Sequence, residues 1–444
     1  MKSNRLRVVA AAGIAVGLFV VGALGPFRAG PSSGDEPPVS QRAGDYLGPT
    51  ASAADLDAAI VSLQTRISSQ PDDSDSLATL GLAYIQKARV SADPSYYPKA
   101  ETTLTRSLEL EDAGNFAAML GLGALDLARH EFAEALNWGR RAKQINPDNA
   151  QIRGVIGDAY LELGLYAKAD RAFQEMVDLR PDLSSYARAS YARELRGDVP
   201  SAIRFMKLAE GAAGTSNDAA WTSYQLGELY FNSGRYDEAS LAYRKGRYLD
   251  PSFVSPQVGI AKIAATRGDY ERATAILERV TRRQPLAEYV ILLGDLYAAS
   301  GRADEATAQY ELVGAIEKLY RSNGVNVDLE QALFDANHGH AERALEVATT
   351  EHERRSSVHV ADALAWAHYA GGNYSDALRY SKKALRLGTR NALFHFHAGM
   401  IATKLGHTGA ARRHLSAALG INPHFSFLHA PTAMKTLEEL RSPR

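Results

Sequence analysis

An all-α array of about ten stacked helix pairs is the fold this sequence predicts. Three observations carry the prediction. Small and aromatic residues recur at fixed offsets, with a period of 34 residues between Pro147 and Pro181. Each period holds two helical patterns split by a glycine-containing turn, as at Leu163-Gly164-Leu165. A proline closes most periods, and proline cannot continue a helix.

Composition narrows the function. At 444 residues the chain is long enough for two or three ordinary domains or one long array. A hydrophobic content of 45% and a charged content of 23% are ordinary for a folded protein. A net charge of -1 argues against general affinity for nucleic acid, which shows as a basic stripe. Cysteine is absent, which removes disulfides, thiolate zinc sites and a cysteine nucleophile.

The N-terminus reads as a targeting segment. Residues 1–7 form a basic cytoplasmic tip with Lys2, Arg5 and Arg7. Residues 8–25 are 18 residues without charge, the lower bound for crossing a bilayer. The preceding cations favour keeping the N-terminus inside and the rest outside. A cleaved signal is the rival reading, since Ala23-Leu24-Gly25 has suitable small residues, but Pro26 beyond the cut disfavours it. The expectation is a single-pass cell-membrane protein with its repeats extracytoplasmic, or else a secreted one. Residues 26–54, with Pro31, Pro37, Pro38 and Pro49, read as a flexible linker.

The array spans 55–425. Asp55 opens a half unit with Ala58, Ala59 and Leu63 on one face, a cap for the apolar end. The first full unit starts near Ser74 with Leu77, Leu80, Gly81 and Tyr84; an insertion at Ser91–Pro98 precedes Ala100 and Leu104. The second has Gly123, Phe132, Ala135 and Pro147. The third, Ala150–Leu183, has Gly157, Tyr160, Gly164, Tyr166, Ala169 and Phe173. The fourth is degenerate, with Ser190 where the glycine belongs. The fifth has Gly227, Tyr230, Gly234, Tyr236, Ala239 and Tyr243, and the sixth Gly268 and Tyr270. The seventh has Gly294, Tyr297, Gly301 and Tyr310, its second helix running on past Tyr320. The eighth keeps only Gly339 and Ala344, the ninth Gly372, Tyr374 and Ala377, the tenth Gly399, Gly406, Ala411 and Leu415. Residues 426–444 supply a C-terminal cap and tail, with a short helix over Thr432–Arg441. Small residues at the Gly157 and Ala169 positions let paired helices approach closely. Aromatics at the Tyr160 and Phe173 positions are expected to fill the space between units.

This pattern resembles the tetratricopeptide-repeat family. The resemblance implies a right-handed superhelical solenoid with a concave groove lined by the first helix of each unit. It implies a protein or peptide partner in that groove. The matching offsets nominate Trp221, Tyr224, Glu228 and Phe231 in the fifth unit, with Asn232 beside them. In the ninth and tenth units they nominate Trp366, Tyr369 and Phe396. Exposed aromatics at such offsets suit an apolar or aromatic segment. Lys262 and Lys404 stand isolated and Arg188 lies in a degenerate unit, so a clamp for a peptide carboxylate is not expected.

Two C-terminal features remain. Arg379, Lys382, Lys383, Arg386, Arg390, Lys404, Arg412 and Arg413 stand against Asp376 alone between Ser375 and Ile421, and read as a solvated outer face. Eleven of the twelve histidines lie beyond residue 337. Neutral imidazoles bind transition metals, but His395 and His397 point apart on one helix, and no carboxylate completes a site around His338 and His340. No metal ligand, cofactor or catalytic residue is nominated. Gly121-Leu122-Gly123 lacks the preceding strand of a dinucleotide site, and His352-Glu353 lacks the second histidine of a zinc hydrolase. The expected function is a non-catalytic, membrane-tethered protein–protein interaction scaffold. The alternatives are a metal-handling accessory protein and a non-catalytic subunit of an envelope transferase or transporter.

Overall fold

The computed structural model describes residues 53–441. Among the described residues there are 22 α-helices and a 3-10 turn at Leu385–Leu387. Helix α1 (Ala53–Ser69) leads. Ten pairs follow: α2 (Ser74–Ser91) with α3 (Tyr96–Leu110), α4 (Phe116–Ala128) with α5 (Phe132–Ile145), and α6 (Ala150–Glu162) with α7 (Tyr166–Leu179). Next come α8 (Leu183–Leu195) with α9 (Val199–Gly211), α10 (Ser216–Asn232) with α11 (Tyr236–Leu249), and α12 (Ser255–Thr266) with α13 (Tyr270–Arg283). The last four are α14 (Ala287–Ala299) with α15 (Ala303–Ser322), α16 (Asp328–Asn337) with α17 (Ala341–Arg354), α18 (Val358–Ala370) with α19 (Tyr374–Ala384), and α20 (Ala392–Lys404) with α21 (Thr408–Ile421). Helix α22 (His429–Arg441) closes the array.

Local chemistry starts these helices. Asp73, Asn115, Asn149, Asp182 and Thr215 each accept a backbone N–H from the first turn of a unit's first helix. Second helices begin on a large ring instead, as at Phe132, Tyr166, Tyr236, Tyr270 and Tyr374. In the fourth unit Ser190 stands at the packing glycine's position, fully buried, and its hydroxyl donates to the Ala202 carbonyl at 2.8 Å. The insertion expected at Ser91–Pro98 is mostly helical: only residues 92–95 stand outside α2 and α3.

Packing explains the offsets, with one revision. A side chain added at Gly157 would overlap the Phe173 ring, so Phe173 fills its own pair's gap as well as joining a cluster with Leu195 of the next unit. Tyr243 does both, lying against Gly227 of its own unit and Gly259 of the next.

The first half of the array then meets the second. His130 Nδ1 lies 2.7 Å from the Asn326 carbonyl, 196 residues away. Val358 N–H donates to the Tyr166 hydroxyl at 2.7 Å across 192 residues. Thr389 Oγ1 donates to the Leu195 carbonyl at 2.5 Å across 194, and Asn422 Nδ2 to the Phe231 carbonyl at 3.0 Å across 191. The near-constant separation shows one superhelical turn, of between five and six units, seated edge to edge on the next. Gly164, at φ +77°, sits on this edge; a Cβ there would lie 2.6 Å from the Ser356 carbonyl oxygen. His130 holds the equivalent position in the second unit at φ +64°, unusual for a side-chain-bearing residue, and its ring makes the contact to Asn326.

The expected membrane location is corrected. Among the described residues no helix is long and apolar enough to cross a membrane. The segment 8–25, on which the anchor and signal expectations rested, lies outside the described residues, and a single-pass membrane location is withdrawn.

Candidate partner-binding site

The inner face is built from the residue that follows each packing position. Asp158, Glu228, Lys262 and Asp295 follow Gly157, Gly227, Ala261 and Gly294. Asp158 and Glu228 reach a cation of the neighbouring unit, while Glu228 and Asp295 also accept from a tyrosine of their own second helix, Asp295 from Tyr310 at 3.0 Å. Asp158 accepts two bonds from Arg188, from Nε at 3.0 Å and Nη2 at 2.8 Å. Lys262 Nζ donates to both Glu228 oxygens at 2.8 Å and lies 4.3 Å from the Phe231 ring centre. The Tyr243 hydroxyl donates to Glu228 at 2.5 Å. Lys262 is not isolated, as its sequence position suggested, and Arg188 of the degenerate fourth unit is paired too. Each is one half of an ion pair joining adjacent units.

Around Glu228 and Lys262 lies a cavity of about 110 Å³, lined also by Tyr224, Phe231, Glu288 and Tyr289. Residues 424–427, between α21 and α22, close it. This segment is tied down at its start: the Tyr236 hydroxyl donates to Asn422 Oδ1 at 2.5 Å, and His424 N–H donates to the Tyr236 oxygen at 3.3 Å. Ser426 Oγ accepts from His429 N–H at 3.1 Å and so starts α22.

The nominated aromatics meet at this segment. Tyr224 and Phe231 are 3% and 4% exposed, and Glu228 is buried with them. Trp221 packs half-buried on the cluster around Tyr243. On the opposite side, Trp366 stacks on the half-buried Tyr369 at 4.4 Å and on His397 at 4.0 Å, and its Nε1 donates to Asn337 at 2.7 Å. Phe396, 1% exposed, lies 5.5 Å from Phe425. Phe427 packs instead among Val258, Leu293 and Tyr297 of the sixth and seventh units. Sequence reasoning missed Glu288 and Asp295, although they occupy in the seventh unit the offsets of Trp221 and Glu228 in the fifth.

Burial, the Glu228 charge and distance from any unshared cation set the acidity of Glu288. Its carboxyl is pushed up to about 7, first by desolvation and then by Glu228, against the pull of Lys262. The folded state therefore binds a proton that the unfolded chain has released between about pH 4.5 and 7. Stability from this group falls as pH rises through that window. Glu288→Gln should match the native chain in a urea titration at pH 4.5 and exceed it progressively toward pH 8. A gap independent of pH would mean that Glu288 is ionised normally.

The eight C-terminal cations are all exposed, as expected of a solvated outer face, and three of them have hydrogen-bond partners. Arg386 donates to the Ser356 carbonyl at 2.7 Å, Arg412 Nε to the Leu440 carbonyl at 2.8 Å, and Arg379 pairs with Asp376 at 2.8 Å. His397 Nδ1 meets buried Asp362 at 2.9 Å, and His395 lies against His414, Nδ1 to Nδ1, at 3.1 Å. Among the described residues no three His, Cys, Asp or Glu side chains are gathered to hold a metal ion.

Comparisons with known proteins fit this geometry. One tetratricopeptide-repeat model matches residues 258–316 and 363–424, and a second matches 150–183 and 222–253. The CTR9 homolog of Arabidopsis thaliana is 23% identical over 318 residues, 61% of this chain and 29% of its own length. The BBSome complex member BBS4 of Bos taurus is 22% identical over 268 residues, 60% of this chain and 49% of its own. The chain thus spans less than half the length of these curated relatives. The human IFIT1 dimer with PPP-AAAA aligns with a TM-score of 0.47 at 16% identity, covering 71% of this chain and 73% of that one. The matched segments fall on α6–α7, α10 to α15 and α18 to α21, and over these segments the chain carries tetratricopeptide repeats.

Proposed function

We propose that the chain is a non-catalytic protein–protein interaction scaffold whose inner face, from the fifth to the seventh unit, receives a segment of a protein partner. One observation carries the reading. Three consecutive units place Tyr224, Phe231, Lys262, Glu288 and Tyr289 on one wall around a cavity that the chain's own side chains leave unfilled. Aromatic anchors beside a few fixed polar groups in a concave, desolvated wall are the composition of an interface centre. Tyr224, Glu228 and Phe231 line that cavity, Trp221 packs on the neighbouring Tyr243 cluster, and Trp366, Tyr369 and Phe396 adjoin it through Phe425. The relative BBS4 is named as a member of a complex, which supports an assembly role.

Leu292 lines the cavity and is half-buried. Leu292→Arg should remove the partner from affinity captures made with the tagged full chain, while circular dichroism shows the helicity unchanged. Equal recovery of the partner by both chains would place its binding elsewhere.

A further inference from the structure

The segment that closes the cavity is not a passive loop. It straddles the end of the last repeat, and it brings two phenylalanines into the inner face. Phe425 reaches the Phe396 and Trp366 side, and Phe427 the Val258 and Leu293 side. Its main chain makes one hydrogen bond, from His424 N–H to the Tyr236 hydroxyl, and the Asn422 side chain just before it donates to the Phe231 carbonyl. Tyr224 and Phe231 from one group, and Trp366, Tyr369 and Phe396 from the other, therefore adjoin one short stretch, His424-Phe425-Ser426-Phe427. The fit is incomplete: the cavity remains beneath it, and Lys262, the nearest cation to Glu288, already holds both oxygens of Glu228.

We propose that residues 424–427 are a built-in occupant of the inner face, displaced by a partner segment of the same chemistry, two aromatic side chains flanking a small hydroxyl residue. The proposal rests on the inner-face reading above. A partner that also brings a hydrogen-bond donor to Glu288 satisfies a group that the resident segment leaves without one, which favours exchange. Because the resident is tethered beside its site, it competes at a high effective concentration. An outside ligand sees only the fraction of chains in which the segment has opened.

The test uses a fluorescent synthetic peptide with the sequence of residues 421–430 and two full-length proteins, the native chain and Phe425→Ala/Phe427→Ala. The peptide should bind the double variant at least tenfold more tightly than the native chain. Absent or equal binding to a variant of native helicity overturns the proposal. If the variant does not fold, hydrogen exchange on the native chain decides. Amides 424–428 exchanging at least tenfold faster than those of α21 support a displaceable segment, and equal protection overturns it. The two readings fail separately. If the peptide does not bind but Leu292→Arg still costs the native chain its partner, the built-in occupant falls and the inner-face site stands. If the peptide binds but Leu292→Arg leaves partner recovery intact, the occupant stands and the partner site moves.

Discussion

Replacing Arg355 with alanine should destabilise the protein by about 3–5 kcal/mol, the range for removing one member of a buried ion pair. The Arg355 side chain is 4% exposed and bonds both Glu162 of α6 and Glu351 of α17. It also lies 4.6 Å from the Phe132 ring centre. Without it, two buried carboxylates face each other across the contact between superhelical turns. Burial already pushes both above the usual carboxylate range, with Arg355 pulling the other way. A guanidinium-chloride titration measures the loss. A cost below about 1 kcal/mol, the range of exposed pairs, would mean that water reaches this triad. The triple change Arg355→Met, Glu162→Gln and Glu351→Gln should recover most of the loss, because it removes the charges together.

Tyr243→Ala should cost about 3–5 kcal/mol, as for other large-to-small changes in well-packed cores. Tyr243 is fully buried, and its ring occupies the space that Gly227 and Gly259 leave open in two successive units. No nearby side chain can collapse into that space without moving a helix. Tyr243→Phe separates the two contributions, since it keeps the ring and removes only the hydrogen bond to Glu228. It should cost about 0.5–1.5 kcal/mol, because Lys262 still holds the carboxylate. Comparable losses for the two variants in thermal unfolding would show that the hydroxyl, not the ring, carries the site.

The helix pairs were legible because their causes are local. A glycine at 157, an aromatic at 173 and a proline at 181 act within one period, and each is visible in it. Part of the inner face was equally legible: carrying the offsets of Trp221 and Glu228 into the next units reaches Lys262, Glu288 and Asp295. The edge contacts were not. The pitch of the superhelix is the sum of small rotations between neighbouring pairs, and no single period reveals where the sum brings residue 130 against residue 326. Even so, His130 stood where its neighbours in the pattern have glycine, and that departure marked a side chain with work at the turn. Residues 424–427 escaped because they follow Pro423 at the end of the last repeat, where no offset rule applies.

The edge-to-edge seating also has a mechanical meaning. A coil with open turns lengthens smoothly under tension, since bending at every joint shares the load. Here the joints from His130–Asn326 to Phe231–Asn422 tie one turn to the next. Pulled at its ends, such a coil keeps its length until a tie gives way, then extends by a step. A scaffold of this kind transmits small forces between its attachments as a strut, and becomes a spring only after the load has opened its seam.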